Sequence, residues 1–215
     1  MDITHPAVEH YVRELLARHD DPVLLEMEAE AEERRFPIVG RMVGVVLELL
    51  ARAIGARRVF ELGSGYGYSG YWFARAIGPD GELHLTDTDP ENERKAREYL
   101  GRAGLWGVVR FHVQEALAAL EEAEGAFDVV YCDIDKAGYP AAWQAARGRV
   151  RVGGLFLCDN TLWSGRVTGA EPEADPHPEW TEAIGEMNRA IASDPDYLST
   201  ILPVRDGVTV ALRLR

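Results

Sequence analysis

The chain has 215 residues, 36 Asp and Glu against 23 Lys and Arg, a net charge of −13 at pH 7 and 47% hydrophobic content. That length and apolar content allow one domain with a full core and no need of disulfides. The acidity argues against a nucleic-acid partner, which needs a basic footprint to release counterions, and no apolar stretch approaches a membrane span.

The opening MDITHPAVEH has no basic region followed by an apolar core, so no signal peptide is expected. Residues 5–19 carry apolar side chains at Val8, Tyr11, Val12, Leu15 and Leu16, a helical spacing. Asp20-Asp21-Pro22 restarts the chain, and a second helix runs to about Arg34, with its Glu-rich stretch read as a solvated face. Phe36–Gly40 is a break, and Met42–Ile54 is a very apolar third helix ended by Gly55. These N-terminal helices, residues 1–56, either cover a ligand or form a dimer contact.

From Arg57 onward strands alternate with helices. Arg58–Leu62 reads as a strand and Tyr68–Ile77 as a helix; Glu82–Asp87 is a strand and Pro90–Ala103 a helix with Pro in its first turn. Val108–Val113 is a strand, Glu115–Glu122 a short helix, Phe127–Asp133 a strand, Tyr139–Arg147 a helix and Gly154–Asp159 a strand. A loop from Ser164 to Pro178, long enough to act as a lid, precedes a helix through about Ser193. Tyr197–Leu202 and Val208–Leu214 close the chain as strands around the hairpin signal Asp206-Gly207. The alternation implies an α/β doubly wound, mostly parallel sheet over residues 57–215 with an antiparallel last strand. Ligands of such sheets bind at the carboxyl ends of the strands.

Two tetrads sit at such ends: Asp133-Ile134-Asp135-Lys136 and Asp159-Asn160-Thr161-Leu162, each after a strongly apolar run. Side by side, these strands would converge Asp133, Asp159 and Asn160. Three hard oxygen ligands suit Mg²⁺, Ca²⁺ or Mn²⁺ and suit zinc poorly. Lys136 would sit beside that ion. It is one of only two lysines, with Lys95, among 21 arginines. A buried Lys can lose its proton where Arg cannot, so Lys136 is either a titrating group or a salt-bridged lysine at a loop start. Cys132 and Cys158 end the same two strands and read as reduced core thiols of a cytoplasmic protein. The six histidines show no ligand spacing.

Glu61-Leu62-Gly63-Ser64-Gly65-Tyr66-Gly67-Tyr68-Ser69 closes the first strand and opens a helix. Tyr68 stands where the dinucleotide fingerprint has its third glycine, and Gly67 comes one residue early. With Glu61 before it, the loop fits an amino-acid-bearing nucleoside better than a pyrophosphate. Ser69 at a helix N-terminus can take a carboxylate. Asp87 ends the second strand about 20 residues beyond the loop, placed either for ribose hydroxyls or as a residue near the helix N-cap before Pro90.

With ELGSGYGYS (61–69), TDTDP (86–90), FDVVYCDIDKAGY (127–139), GGLFLCDNTLWSG (153–165) and LPVRDGVTV (202–210), the chain resembles the metal-dependent catechol/caffeoyl-CoA O-methyltransferases. These are class I S-adenosylmethionine enzymes with a Rossmann-like, seven-stranded fold. The resemblance implies S-adenosylmethionine contacts at Glu61, Gly63, Ser64, Ser69 and Asp87. It adds Val39, Ala116 and Asp135. It also implies a metal on Asp133, Asp159 and Asn160, Lys136 as base, and a homodimer. The segment FPIVGRMVG differs from the plant enzymes, and Val113-Gln114-Glu115 is not a close match.

The expected chemistry is in-line methyl transfer to a phenolic oxyanion. Lys136, its pKa depressed beside an ion, would accept the phenol proton. Mg²⁺ is the default ion, with Mn²⁺ and Ca²⁺ as alternatives. Trp163 either stacks on an aromatic acceptor or packs on the core. The leading acceptor is a small catechol-like molecule. The same family also suggests a hydroxylated tRNA nucleoside, against which the net charge speaks. A nicotinamide oxidoreductase is disfavoured by Tyr68 and the two tetrads. A non-catalytic cofactor binder is disfavoured by the intact Asp133, Lys136, Asp159 and Asn160 set.

Overall fold

The computed structural model describes residue 3, residues 5–170 and residues 175–215, the side chains of residues 18 and 19 excepted. Seven strands form one sheet in the order β3-β2-β1-β4-β5-β7-β6. They are β1 (Arg58–Leu62), β2 (Glu82–Asp87), β3 (Val109–Val113), β4 (Phe127–Cys132), β5 (Val150–Cys158), β6 (Tyr197–Leu202) and β7 (Val208–Arg213). The first five pair in parallel; β7 runs antiparallel to both β5 and β6. The order reverses between β1 and β4, so the crevice at a topological switch point opens at the carboxyl ends of those strands.

The central strands are buried on both faces, which is why they read as continuous apolar runs rather than alternating ones. One face packs under α3 (Gly40–Ala53) and α4 (Tyr68–Ile77), around Leu47, Trp72, Phe73 and Tyr131. The other packs under α6 (Ala116–Glu122), α7 (Tyr139–Ala146) and α8 (Pro178–Ala192), around Phe60, Trp143 and Phe156. The helix α5 (Pro90–Arg102) is capped by Asp89, whose side chain accepts from Glu91 N.

Several boundaries shift by one or two residues from the sequence reading, and three differences have a structural reason. The expected first helix is α1 (Pro6–Leu15) followed by a 3₁₀ turn at Leu16–His19, a tightened end ahead of the restart at Asp21. Asp21 then caps α2 (Pro22–Arg34) through Val23 N and Leu24 N. The strand β5 begins at Val150, not Gly154, so the glycine pair lies inside it. A Cβ on Gly154 would sit 2.6 Å from Asp128 O, and the β4–β5 register shifts between Phe127 and Val129. The glycines therefore mark a bulge and a close backbone approach rather than a strand start. Part of the expected 164–178 loop is a 3₁₀ turn, Trp163–Thr168, and residues 171–174 lie outside the described residues. Cys132 and Cys158 are buried free thiols, directly opposite each other on β4 and β5. No helix among the described residues is long and apolar enough to cross a membrane.

Candidate active site

Backbone bonds at the strand ends set the site. Asp133 N donates to Leu62 O at 2.9 Å, and Asp159 N donates to Cys132 O at 3.1 Å. Each strand thus holds the first residue beyond its neighbour, and Gly63, Asp133 and Asp159 form a row along the sheet edge. A cleft of about 880 Å³ opens above it. Its wall includes Val39, Gly63, Ser64 and Ser69 from the N-terminal side, and Asp87, Ala116 and Asp135 from the strand β2, β3 and β4 ends. Asp133, Lys136, Asp159 and Asn160 also face it. Of the residues singled out in the sequence, Glu61 alone is not part of the wall.

Gly63 sits at φ +80°, where a Cβ would meet Asp133 O at 2.6 Å, so the turn admits no side chain. Its N–H donates to Thr86 Oγ1 at 3.0 Å, and Ser64 Oγ accepts from Thr86 N at 3.0 Å, which locks the turn to β2. Glu61 lies one layer behind. It is fully buried and accepts from the Ser69 hydroxyl, while its Oε2 has no hydrogen-bond partner. Burial pushes its carboxyl up to about 8, the Ser69 bond opposes this, and the charge of Asp133 adds to it. Asp87 Oδ1 accepts from Asp89 N at 2.8 Å, so Asp87 shapes the turn while lining the cleft, and the helix cap is Asp89.

The acids meet at the ends of β4 and β5. Asp159 is 4% exposed, and its Oδ1 is buried without a hydrogen-bond partner. Burial and then the Asp133 charge push its carboxyl up to about 7, against the pull of Asn160, Lys136 and Arg205. Asn160 adopts the left-handed region, φ +55°, which turns the chain sharply after Asp159. The Tyr139 hydroxyl donates to Asp159 O at 2.9 Å and fixes the same turn from below. Among the described residues no three His, Cys, Asp or Glu side chains gather as a metal group; the set here is two carboxylates and an amide.

Lys136 Nζ donates to Asp133 Oδ1 at 3.0 Å and to Ile134 O at 3.3 Å. The depressed pKa is an expectation for a lysine beside a bound ion; among the protein groups alone the direction is the opposite. Burial lowers the pKa, but the adjacent Asp133 carboxylate outweighs burial and holds the lysine above its ordinary value. As it stands Lys136 is an ammonium ion.

Two wall residues outside the sequence candidates stand out for their chemistry. Trp180, from α8, meets Trp163 edge-on with ring centres 5.8 Å apart, and both face the cleft. Arg205 reaches the cleft from the β6–β7 turn. Their signals in the sequence are faint: Trp180 follows the long loop 164–178, and Arg205 adjoins the turn signal Asp206-Gly207. The six histidines show no ligand spacing in the sequence, yet His84 and His112 stack, with Nδ1 of one 3.0 Å from Nε2 of the other. Strand pairing joins them, because β2 and β3 are neighbours. Neither faces the cleft.

A seven-stranded sheet of this order, with a glycine turn after its first strand and an acid after its second, defines a class I S-adenosylmethionine-dependent methyltransferase. The chain belongs to the O-methyltransferase family, whose model matches residues 15–214. It is 35% identical over 213 residues to a catechol O-methyltransferase of Niastella koreensis, covering 96% of each chain. It is 31% identical to a caffeoyl-CoA O-methyltransferase of Eucalyptus gunnii, over 95% of this chain and 80% of that one. The O-methyltransferase TomG of Streptomyces achromogenes, solved in complex with S-adenosylmethionine, superposes with a TM-score of 0.85 at 29% identity, covering 97% and 96% of the two chains. The protein is an S-adenosylmethionine-dependent O-methyltransferase of the catechol/caffeoyl-CoA type.

Proposed function

We propose that the acceptor is a catechol-like aromatic small molecule and that transfer depends on a divalent cation held by Asp133, Asp159 and Asn160. The observation that carries this is Asp159 Oδ1, a buried carboxylate oxygen without a hydrogen-bond partner, beside a second carboxylate. Such an arrangement is costly without a cation. The donor set is all oxygen, which suits Mg²⁺, with Mn²⁺ or Ca²⁺ as alternatives. A cation bound there would lower the pKa of the acceptor hydroxyl and stabilise its anion.

Burial alone favours neutral Lys136, and Asp133 opposes it. With Asp133 engaged as a ligand, Lys136 is the group at hand to accept the hydroxyl proton. The oxygen–methyl bond then forms as the sulfur–methyl bond breaks, and that electron pair returns to sulfur. Ser69 and the start of α4 suit the donor's carboxylate, and Asp87 its ribose. Gly63, Ser64, Val39, Ala116 and Asp135 complete the donor's cradle, with Glu61 orienting Ser69 from behind. Trp163 and Trp180 give an aromatic acceptor a wall to stack on. A homodimer rests on the family resemblance, and Val8, Tyr11 and Leu15 of α1 offer it exposed apolar surface; a cytoplasmic location rests on reading Cys132 and Cys158 as reduced core thiols.

The test is conversion of S-adenosylmethionine to its demethylated product with a catechol panel that includes caffeic acid, in Mg²⁺ and then in EDTA. Turnover abolished by EDTA is the expected result. Equal turnover in both removes the cation. No turnover with any acceptor moves the substrate elsewhere.

A further inference from the structure

The cleft is strongly acidic. Eight carboxylates line it, among them Glu28, Asp87, Asp133 and Asp159, against two cations, Lys136 and Arg205. Lys136 is already paired with Asp133. Arg205 forms no ion pair with any described residue; its charge is felt by the Asp159 carboxyl without a direct contact.

Its mounting is specific. Arg205 lies at φ +50°, an uncommon conformation for a residue with a side chain. Its Nη1 donates to the carbonyls of Ile38, at 2.9 Å, and Val39. A Cβ on Gly40 would come within 2.7 Å of the same Nη1, so the N-terminal segment leaves space for the guanidinium. The turn is also fastened to the acid centre's loop. Leu162 N donates to Asp206 O at 2.8 Å, Thr161 N to Gly207 O at 3.1 Å, and Ser164 N to Asp206 Oδ1. Arg205 is thereby held between the donor-side segment and the Asp159–Asn160 loop. Both backbone contacts use Nη1, leaving the Nε–Nη2 edge without a protein acceptor among the described residues. That edge is a planar two-donor fork, the shape that matches a carboxylate or phosphate.

We propose that Arg205 is a specificity-determining residue that selects methyl acceptors carrying an anionic group, a carboxylate or a phosphate, over neutral ones. The inference rests on the proposed catechol-type acceptor. In an otherwise acidic cleft, a neutral acceptor gains nothing from this guanidinium. An anionic one is tolerated only where the fork can reach it.

The test uses caffeic acid, its neutral methyl ester, and its coenzyme A thioester, which moves the anionic groups to distant phosphates. Binding to protein loaded with the demethylated cofactor is read by tryptophan fluorescence, and kcat/KM is read alongside. The wild type is expected to favour an anionic acceptor over the ester by about tenfold or more, the scale of one charge-assisted contact. Preference for the acid assigns a carboxylate, and preference for the thioester assigns a phosphate. In Arg205→Gln that ratio should collapse, mainly through KM, and Arg205→Lys should restore part of it. Because the ratio is taken within one preparation, partial unfolding cancels. Equal or weaker binding of both anionic acceptors by the wild type overturns the inference without any variant, as does an unchanged ratio in Arg205→Gln. Charge-selective binding lost in Arg205→Gln, but without turnover of any of the three, overturns the catechol-acceptor reading and with it the selection of methyl acceptors, whereas turnover with an unchanged ratio overturns the role of Arg205 alone.

Discussion

Lys136 Nζ lies 3.0 Å from Asp133 Oδ1 and 5.1 Å from the centre of the Tyr139 ring. The contact joins two residues of one short loop and sets the protonation state of the lysine. A base must lose its proton, and the same carboxylate that positions Lys136 opposes that loss. Lys136→Met is expected to retain S-adenosylmethionine binding and lose turnover by about 10²-fold or more. Lys136→Arg separates charge from basicity, since a guanidinium keeps the ion pair but cannot be deprotonated. It should be as slow as Lys136→Met. A Lys136→Arg variant near the wild-type rate would reduce Lys136 to a fixed charge.

The Asp159 carboxyl is pushed from 3.8 up to about 7 in the fold. A raised folded value means that its stabilising contribution is complete below 3.8 and is lost as pH rises toward about 7. A cation that binds the ionised form should therefore stabilise the protein more at pH 8 than at pH 6. The expected result is a Tm that rises with added Mg²⁺, by more at the higher pH. Asp159→Ala should abolish both that rise and chelator-sensitive turnover. In EDTA its Tm should not fall far below the wild type, because the variant also removes a buried carboxylate with an unpartnered oxygen. Differential scanning calorimetry at two pH values checks the Tm outcomes, and the assay in Mg²⁺ and then EDTA checks the turnover.

The element order was legible because buried parallel strands and amphipathic helices have different periods, and turn residues punctuate them. The tetrads were legible for a related reason: a buried apolar strand that ends in carboxylates must deliver them to a sheet edge. That reasoning failed at Gly153-Gly154, where glycines that usually end an element instead allow a bulge against Asp128. It could not reach Arg205, whose partners Ile38 and Val39 lie 167 and 166 residues away in the chain. Nor does it give the balance at Lys136 among the protein groups alone. The three-residue spacing to Asp133 was visible, but whether burial or the carboxylate wins depends on a distance that spacing does not give.

Gly63 offers a test of the cleft's floor. Any Cβ there would meet the backbone oxygen of Asp133 at 2.6 Å, and the backbone is already at φ +80°. Gly63→Ala is expected to cost about 1–3 kcal/mol of stability through backbone strain. It should also displace Asp133, so the KM for S-adenosylmethionine and the response to Mg²⁺ should worsen together. Gly148, with nothing within 4 Å of its Cβ, serves as a control position. A Gly63→Ala variant with wild-type KM and Mg²⁺ response would mean that β4 can shift without disturbing the acids.

Glu61 makes a prediction about pH that needs no ligand. Its ordinary value of 4.5 is pushed up to about 8 because the carboxyl is buried, and the Ser69 hydroxyl only partly offsets this. The folded protein holds the Glu61 proton more tightly than the unfolded chain does. Stability from this group is complete below 4.5 and is lost as pH rises through about 8. Between those values the loss approaches about 1.4 kcal/mol per pH unit. Glu61→Gln keeps the shape and a hydrogen-bonding group for Ser69 but cannot ionise. Subtracting its urea-unfolding free energies from those of the wild type, pH by pH, isolates the Glu61 contribution from other titrating groups. That difference should move against the wild type as pH rises from 5 to 8. A flat difference would mean that Glu61 ionises in the fold as readily as in water. Its unpartnered Oε2 would then need a cation or water that burial alone does not supply.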